Sequence, residues 1–295
     1  MPAIDPRNVM MQDRDVSLLL DLVESRVLTL DQVRTLFFPD KDEMAKKRVQ
    51  RLKVAGLLVE RPRRIGTPSI LHLTWKGYVA LRKNNHVGED SHLSPKTFTR
   101  RMAVSDLTLA HELMIGDVRT AFIVAMRESK RFEQFEFDVW PRRYDFTVNR
   151  GQGRVPVKPD GHIRFLERGD EEQAPYNFFL EVDTGSENLE RVVEKCLNYR
   201  EYFRSGGFAV FCGGHREQFK KFPFQVLVVV PSEKRRNNLA ELLLQATPPF
   251  STMVLITTQA QCVRDPLGDI WMTPAAYKEA MATTTEAVRL VSMCD

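Results

Sequence analysis

Three acids in two short apolar stretches carry the clearest chemical signal in this sequence: Asp160 in "VKPDGHIRFL", and Glu181 and Asp183 in "NFFLEVDTG". Strand side chains alternate between faces, so Glu181 and Asp183 point one way and Val182 the other. If the two stretches pair as a hairpin, Asp160 at the start of one strand lies beside Glu181 and Asp183 at the end of the other. Carboxylates gathered in this way raise one another's pKa unless a cation neutralises them. A hard divalent ion such as Mg²⁺, held by a few carboxylates and water, meets that cost. It would also polarise a phosphodiester and lower the pKa of an attacking water. The plainer alternative is a pair of strands with solvent-exposed acidic ends, since Asp before Gly is a common turn residue.

Other chemistry is less well supported. His111 sits on a predicted helix, where packing with a hydrogen bond is the expected role. His162 follows Asp160 by two residues, on the same face of its strand, and would border an acidic site. The glycines at 206–207 and 213–214 lack the G-K-[ST] of a phosphate-binding loop, and neither a G-x-S-x-G elbow nor a dinucleotide fingerprint occurs. Cys196, Cys212, Cys262 and Cys294 are scattered without a C-x-x-C pair, which argues against a structural zinc and a disulfide framework.

The acids need a scaffold, and the carboxy-terminal two thirds predict one. A long helix over "VSDLTLAHELMIGDVRTAFIVAMRESKRF" leads into the alternating strand "QFEFDVW" and then the two acid-bearing strands. A helix over "NLERVVEKCLNYREYF" follows. "FQVLVVVP" reads as a strand buried on both faces. A helix capped by Ser232 and the strand "STMVLITT" complete a mixed α/β sandwich around a central sheet.

The amino-terminal third has a different plan. Three amphipathic helices, over "DVSLLLDLVESRVL", "TLDQVRTLFF" and "KDEMAKKRVQRLKVAG", precede two short strands, "LLVERP" and "SILHLT", and a further helix beginning at "WKGYVALRK". Three helices followed by a two-stranded ribbon is the winged helix-turn-helix plan, in which the third helix enters the major groove and the ribbon reaches the adjacent backbone. Met44, Val49, Leu52 and Ala55 are expected to face the core, and Gly56 to end the third helix. That helix carries Lys46, Lys47, Arg48, Gln50, Arg51 and Lys53, and the wing carries Arg61, Arg63 and Arg64. Double-stranded DNA is the expected partner, with an affinity that falls steeply with salt. The alternative is a protein-interaction module whose basic helix face is merely solvated.

Charge distribution supports the DNA assignment. The net charge is +4, yet residues 46–64 alone hold eight basic groups against one acid, Glu60, so the rest of the chain is slightly acidic. Residues 84–103 lack apolar periodicity and read as a linker, in which Arg100 and Arg101 could add phosphate contacts. The expected domains are therefore 1–83, a winged helix-turn-helix, and 104–295, a mixed-sheet α/β domain. No apolar run approaches the ~18 residues of a membrane helix. The first residues lack the layout of a signal peptide, so a cytoplasmic protein is expected.

Pro159-Asp160 followed by Glu181-Val182-Asp183 on the next strand resembles the PD-(D/E)XK nuclease superfamily. The resemblance implies Asp160, Glu181 and Asp183 as catalytic metal ligands for Mg²⁺, with Glu112 on the preceding helix as a fourth. The superfamily usually has Lys where this chain has Asp183. In some members the next helix supplies it, and Lys195 is the candidate here. Over residues 15–275 the chain resembles the replication-relaxation family of plasmid and mobile-element proteins. That resemblance rests on "RLKVAGLL", "LTWKG", "AHELMIGDVRTAF", "VKPDG", "LEVDTGSENLERVVEKCLNYREYF" and "FQVLVVVPSEKRRNNL". It implies a winged helix joined to a nuclease-like domain, acting in plasmid replication or DNA relaxation. Three functions follow as expectations: a DNA-binding accessory protein that grips DNA or a replication partner without cutting, a Mg²⁺-dependent endonuclease or nickase, and a transcriptional regulator whose sheet domain forms a homodimer.

Overall fold

Apolar residues at helical spacing near the amino terminus fold as α1 (Asp13–Ser25), in which Leu18, Leu19 and Leu22 are fully buried. The strand β1 (Leu28–Thr29) leads directly into α2 (Leu30–Phe37). Thr29 starts α2 with a reciprocal cap: its hydroxyl accepts the Gln32 N–H at 3.1 Å, and the Gln32 side chain accepts the Thr29 N–H at 2.8 Å. The basic third helix is α3 (Asp42–Val54), and it buries Ala45, Val49 and Leu52. Gly56, with φ +71°, follows its end as expected. Met44, expected inside, is 54% exposed, because Ala45 takes the inward position on that turn.

The ribbon forms β2 (Leu58–Glu60) and β3 (Ile70–Leu73), and β1 joins it in an antiparallel sheet of order β1-β3-β2. Thr74 caps α4 (Trp75–Lys83). A Cβ on Gly77 would stand 2.4 Å from the Leu57 carbonyl oxygen and 2.7 Å from Leu73 Cδ1, so glycine alone lets α4 seat this closely on the ribbon.

The computed structural model describes residues 9–63, 66–88, 92–139, 146–150, 153–169, 174–283 and 288–294, and separates into two units, Met1–Thr120 and Ala121–Asp295. The segment 84–103 is not the featureless linker that its composition suggested. It contains α5 (Pro95–Met102), capped by Ser94 with proline in the first turn. Phe98 is buried against Trp75 and Tyr78, with ring centroids 5.4 and 5.3 Å apart. The Tyr78 hydroxyl accepts the Leu93 N–H at 2.7 Å. This stretch completes the first core, and the unit boundary falls later, within α6 (Asp106–Glu128).

The second unit is a mixed α/β layer structure. Its strands are β4 (Phe132–Val139), β5 (Phe146–Arg150), β6 (Gly153–Val157), β7 (Gly161–Glu167) and β8 (Tyr176–Val182). Then come α7 (Leu189–Arg204), the short α8 (Gly207–Phe211), β9 (Gln225–Val230), α9 (Glu233–Gln245), β10 (Val254–Thr258), α10 (Gln259–Arg264) and α11 (Pro274–Ala282). Five strands form the central sheet in the order β10-β9-β8-β7-β4, with β4–β7 and β7–β8 antiparallel and β8–β9 and β9–β10 parallel. Val226 to Val230 are all at 0% exposure, as expected for a strand covered on both faces. Ser232 caps α9 by accepting the Arg235 N–H at 3.3 Å. The ribbon β5–β6 is an addition to the expected elements; Val148 and Val157 bury one side of it in the core beneath α7. Among the described residues no helix is long and apolar enough to cross a membrane.

Candidate functional site

β7 and β8 pair as the hairpin arrangement expected, from Gly161 opposite Leu180 to Phe165 opposite Tyr176. Asp160 lies just before β7, at the end of the ladder with β8, where the Val182 N–H has no backbone acceptor from this strand. Its side chain takes over: Asp160 Oδ2 accepts the Val182 N–H at 2.7 Å, and the Asp160 N–H donates to the Leu180 carbonyl at 3.0 Å. The acid is thereby fixed beside the carboxyl end of β8.

Glu181 is 2% exposed and points toward α7. Tyr199 donates its hydroxyl to Glu181 Oε1 at 2.5 Å, and Lys195 Nζ lies 3.0 Å from Oε2. Lys195 and Tyr199 are one helical turn apart, so one face of α7 delivers both. That face is held down by aromatic packing: Phe179 lies 5.2 Å from the Tyr199 ring, and Phe146 stacks on Tyr202 at 3.7 Å. Lys195 also lies 3.3 Å from Glu187 Oε2. His162 borders this region, with its ring 5.1 Å from Phe179. His111 is half-buried on α6.

Burial and then the neighbouring Asp160 push the Glu181 carboxyl up to about 7, against the pull of Lys195 and Tyr199. Burial also opposes the Lys195 charge, but Glu181, Asp160 and Glu187 outweigh it and hold the ammonium above the usual lysine range. Burial first, and the second carboxylate beside it, thus make Glu181 easy to protonate despite the Lys195 ammonium. Unfolded, this carboxyl titrates near 4.5. Between 4.5 and about 7 the folded chain therefore holds the extra proton, and stability falls as pH rises across that window. Glu181→Gln is expected to remove that decline, about 3 kcal/mol in total, in urea unfolding measured from pH 5 to pH 8. An unchanged slope would show that Glu181 is not the titrating group.

Asp183 does not join this pair. It points to the same side of the sheet as Glu181, but Arg235 of α9 claims it. Arg235 Nη2 donates to Asp183 Oδ1 at 3.0 Å, and Arg235 Nε makes a second, shorter contact with Oδ2. The Gly185 N–H completes the shell at 2.8 Å. Glu112, expected as a fourth ligand, belongs to the first unit and is bound by Arg26 Nη1 at 2.5 Å. Among the described residues no three His, Cys, Asp or Glu side chains are gathered as a ligand set for a metal ion. Within the second unit, the contacts of Asp160, Glu181 and Asp183 do not fit one shared Mg²⁺ site. Glu181 is engaged by Tyr199 and Lys195, and Asp183 is neutralised by Arg235.

The basic residues of the first unit also divide. Arg48 is pinned to the buried Asp15, its Nε 2.8 Å from Oδ1. Lys53 lies 2.5 Å from Glu60 Oε2, and Arg63 Nε lies 2.9 Å from Oε1 of the same acid. Chiefly because of Lys53, Glu60 is drawn down to about 2. Arg61 pairs with Asp106 and donates to the Val104 carbonyl at 2.8 Å. Lys46 pairs with Glu43 one turn away, at 2.8 Å. Arg64 lies outside the described residues. Arg101, an expected phosphate contact, is buried and donates to the carbonyls of Val23 and Glu24 at the end of α1. Among the described residues Arg100 is exposed on α5 with no hydrogen bond or ion pair, and on α3 the same holds for Lys47, Gln50 and Arg51. Their spacing places them on one face of α3, between the exposed Met44 and Val54.

Fold and sites together define a mixed α/β protein with a helix-and-ribbon unit bearing an open basic helix face and a sheet unit bearing a buried carboxylate–lysine centre. The chain belongs to the replication-relaxation family, whose model matches residues 19–211. That span includes α3, Asp160, Glu181, Asp183 and Lys195, but ends before Arg235. No curated protein matches the chain. Among solved structures it is similar to the restriction endonuclease FokI, at 12% identity and a TM-score of 0.27 over 98% of this chain. It spans 48% of that chain, and likeness at this level carries no functional weight.

Tyr199 and Arg235 were not foreseen. Tyr199 was within reach, since it lies four residues after Lys195 on a predicted helix. Arg235 was not, being 52 residues from Asp183.

Proposed function

We propose that this protein binds double-stranded DNA in plasmid or mobile-element replication or relaxation, through a winged helix-turn-helix at its amino terminus. On this proposal α3 is the recognition helix, and the sheet unit, similar in plan to PD-(D/E)XK nucleases, grips DNA or a replication partner without cutting it. The single observation that carries it is the sorting of charge on α3. Lys47, Gln50 and Arg51 stand exposed in one row, while Arg48 and Lys53 are spent on internal ion pairs. Such a row suits phosphate contact and base-edge readout from the major groove. The absence of cutting is supported by the engagement of Glu181 by Tyr199 and Lys195 and of Asp183 by Arg235.

Incubation of supercoiled plasmid with the protein and Mg²⁺ tests the second part. The expected result is retarded but uncut plasmid at every protein excess. Nicked or relaxed product that disappears in Asp160→Asn would replace the accessory function with a Mg²⁺-dependent nickase.

A further inference from the structure

The second unit carries a cationic cluster outside every residue assigned above. Arg200 and Arg204 lie one turn apart on α7. Arg150, the last residue of β5, joins them from the ribbon that packs on this helix, and its Nη1 donates to Asn198 Oδ1 at 3.4 Å. Arg200 is held in place: its guanidinium lies 4.5 Å above the Phe250 ring and donates to the Thr247 carbonyl at 3.1 Å and to the Pro248 carbonyl. Those partners orient the group without neutralising it. Among the described residues no carboxylate forms an ion pair with Arg150, Arg200 or Arg204. The three are close enough to act on one another: after burial, Arg204 and Arg150 are what hold Arg200 below the usual arginine range, with Glu201 pulling weakly the other way.

This contrasts with the basic run of the first unit, where Lys46, Arg48, Lys53, Arg61 and Arg63 each have an acid in contact. A guanidinium cluster without an acid costs free energy that a polyanion recovers, because planar guanidiniums bind phosphate oxygens in fixed, bidentate geometry. The cluster also borders the acidic centre, since Asn198 follows Lys195 by three residues on α7. We propose that Arg150, Arg200 and Arg204 form a second nucleic-acid contact, a sequence-independent grip on the phosphate backbone by the α/β unit. The proposal presupposes the duplex-binding function above and gives the sheet unit a share in it.

The test is the salt dependence of binding of a labelled random-sequence duplex to the full chain. Arg150→Ala with Arg204→Ala is expected to lower the slope of log K against log salt by about 2, since each neutralised phosphate contributes about 0.9. Arg150→Lys with Arg204→Lys keeps the charge and is expected to retain most of the slope. If the alanine pair binds like the parent while Lys47→Ala with Arg51→Ala is impaired, the cluster is overturned and the helix assignment stands. If the alanine pair is impaired and the α3 pair is not, the cluster stands and the recognition helix falls. Equal loss in the lysine and alanine pairs would point to damaged packing and would also overturn the proposal. A parent chain with no affinity for duplex at low salt would sink both.

Discussion

Arg235→Ala is expected to cost about 3–5 kcal/mol of stability, the loss typical of stripping one partner from a buried ion pair. The Asp183 side chain is 3% exposed, and two of its three close donors belong to the Arg235 guanidinium. Without them a carboxylate remains in the protein interior with the Gly185 N–H alone. Arg235 Nη2 also donates to the Glu187 carbonyl, so the loop between β8 and α7 loses its tie to α9. For a unit of this size the thermal midpoint should fall by on the order of 10 °C. Adding Asp183→Asn should restore part of the loss, because the uncharged amide costs less to leave in place. A single Arg235→Ala variant that melts with the parent would mean that Asp183 finds water or another cation.

The second large effect concerns DNA. Lys47→Ala with Arg51→Ala is expected to lower the salt slope of duplex binding by about 2 and, if Arg51 reads a base edge, to cost a further 1–3 kcal/mol or so at its preferred sequence. Stability should barely change, since both side chains are exposed. Arg48→Ala should behave in the opposite way. It leaves Asp15 buried and unpaired, at 1% exposure, so the fold weakens while the exposed face of α3 keeps its contacts. Equal loss of DNA affinity from all three substitutions, measured where each variant is folded, would refute the sorting of charge proposed for this helix.

That sorting shows where local patterns stop being informative. The basic run 46–64 was legible, but two of its partners were not, because Asp15 and Asp106 lie far from it in the chain and reach it only through the fold; Glu43, one turn before Lys46 on α3, was within local reach. The pairing of β7 with β8 was legible for the opposite reason: alternation and a short connection fix neighbours locally, so the placement of Asp160 beside the end of β8 followed. Asp183 was placed on the correct face, yet its partner arrives from α9 across a parallel crossover, which no local spacing encodes. The helix α5 was hidden in a polar stretch. Its Ser94-Pro95 start was a usable sign, but one buried aromatic, Phe98, leaves little periodicity to read. Ribbon β5–β6 was missed because the turn-forming Asn149, Gly151 and Gly153 interrupt "TVNRGQGRV" and separate the buried Val148 from the buried Val157.

The contact between Asp160 Oδ2 and the Val182 N–H bears on how the acidic centre can be dissected. This carboxylate substitutes for the missing rung of a ladder as well as supplying charge beside Glu181. Truncation to alanine would therefore unpair an amide and loosen the terminus of β8, confusing mechanical damage with lost electrostatics. Asparagine keeps an oxygen for the amide while discarding the charge, and so separates the two duties of a single side chain.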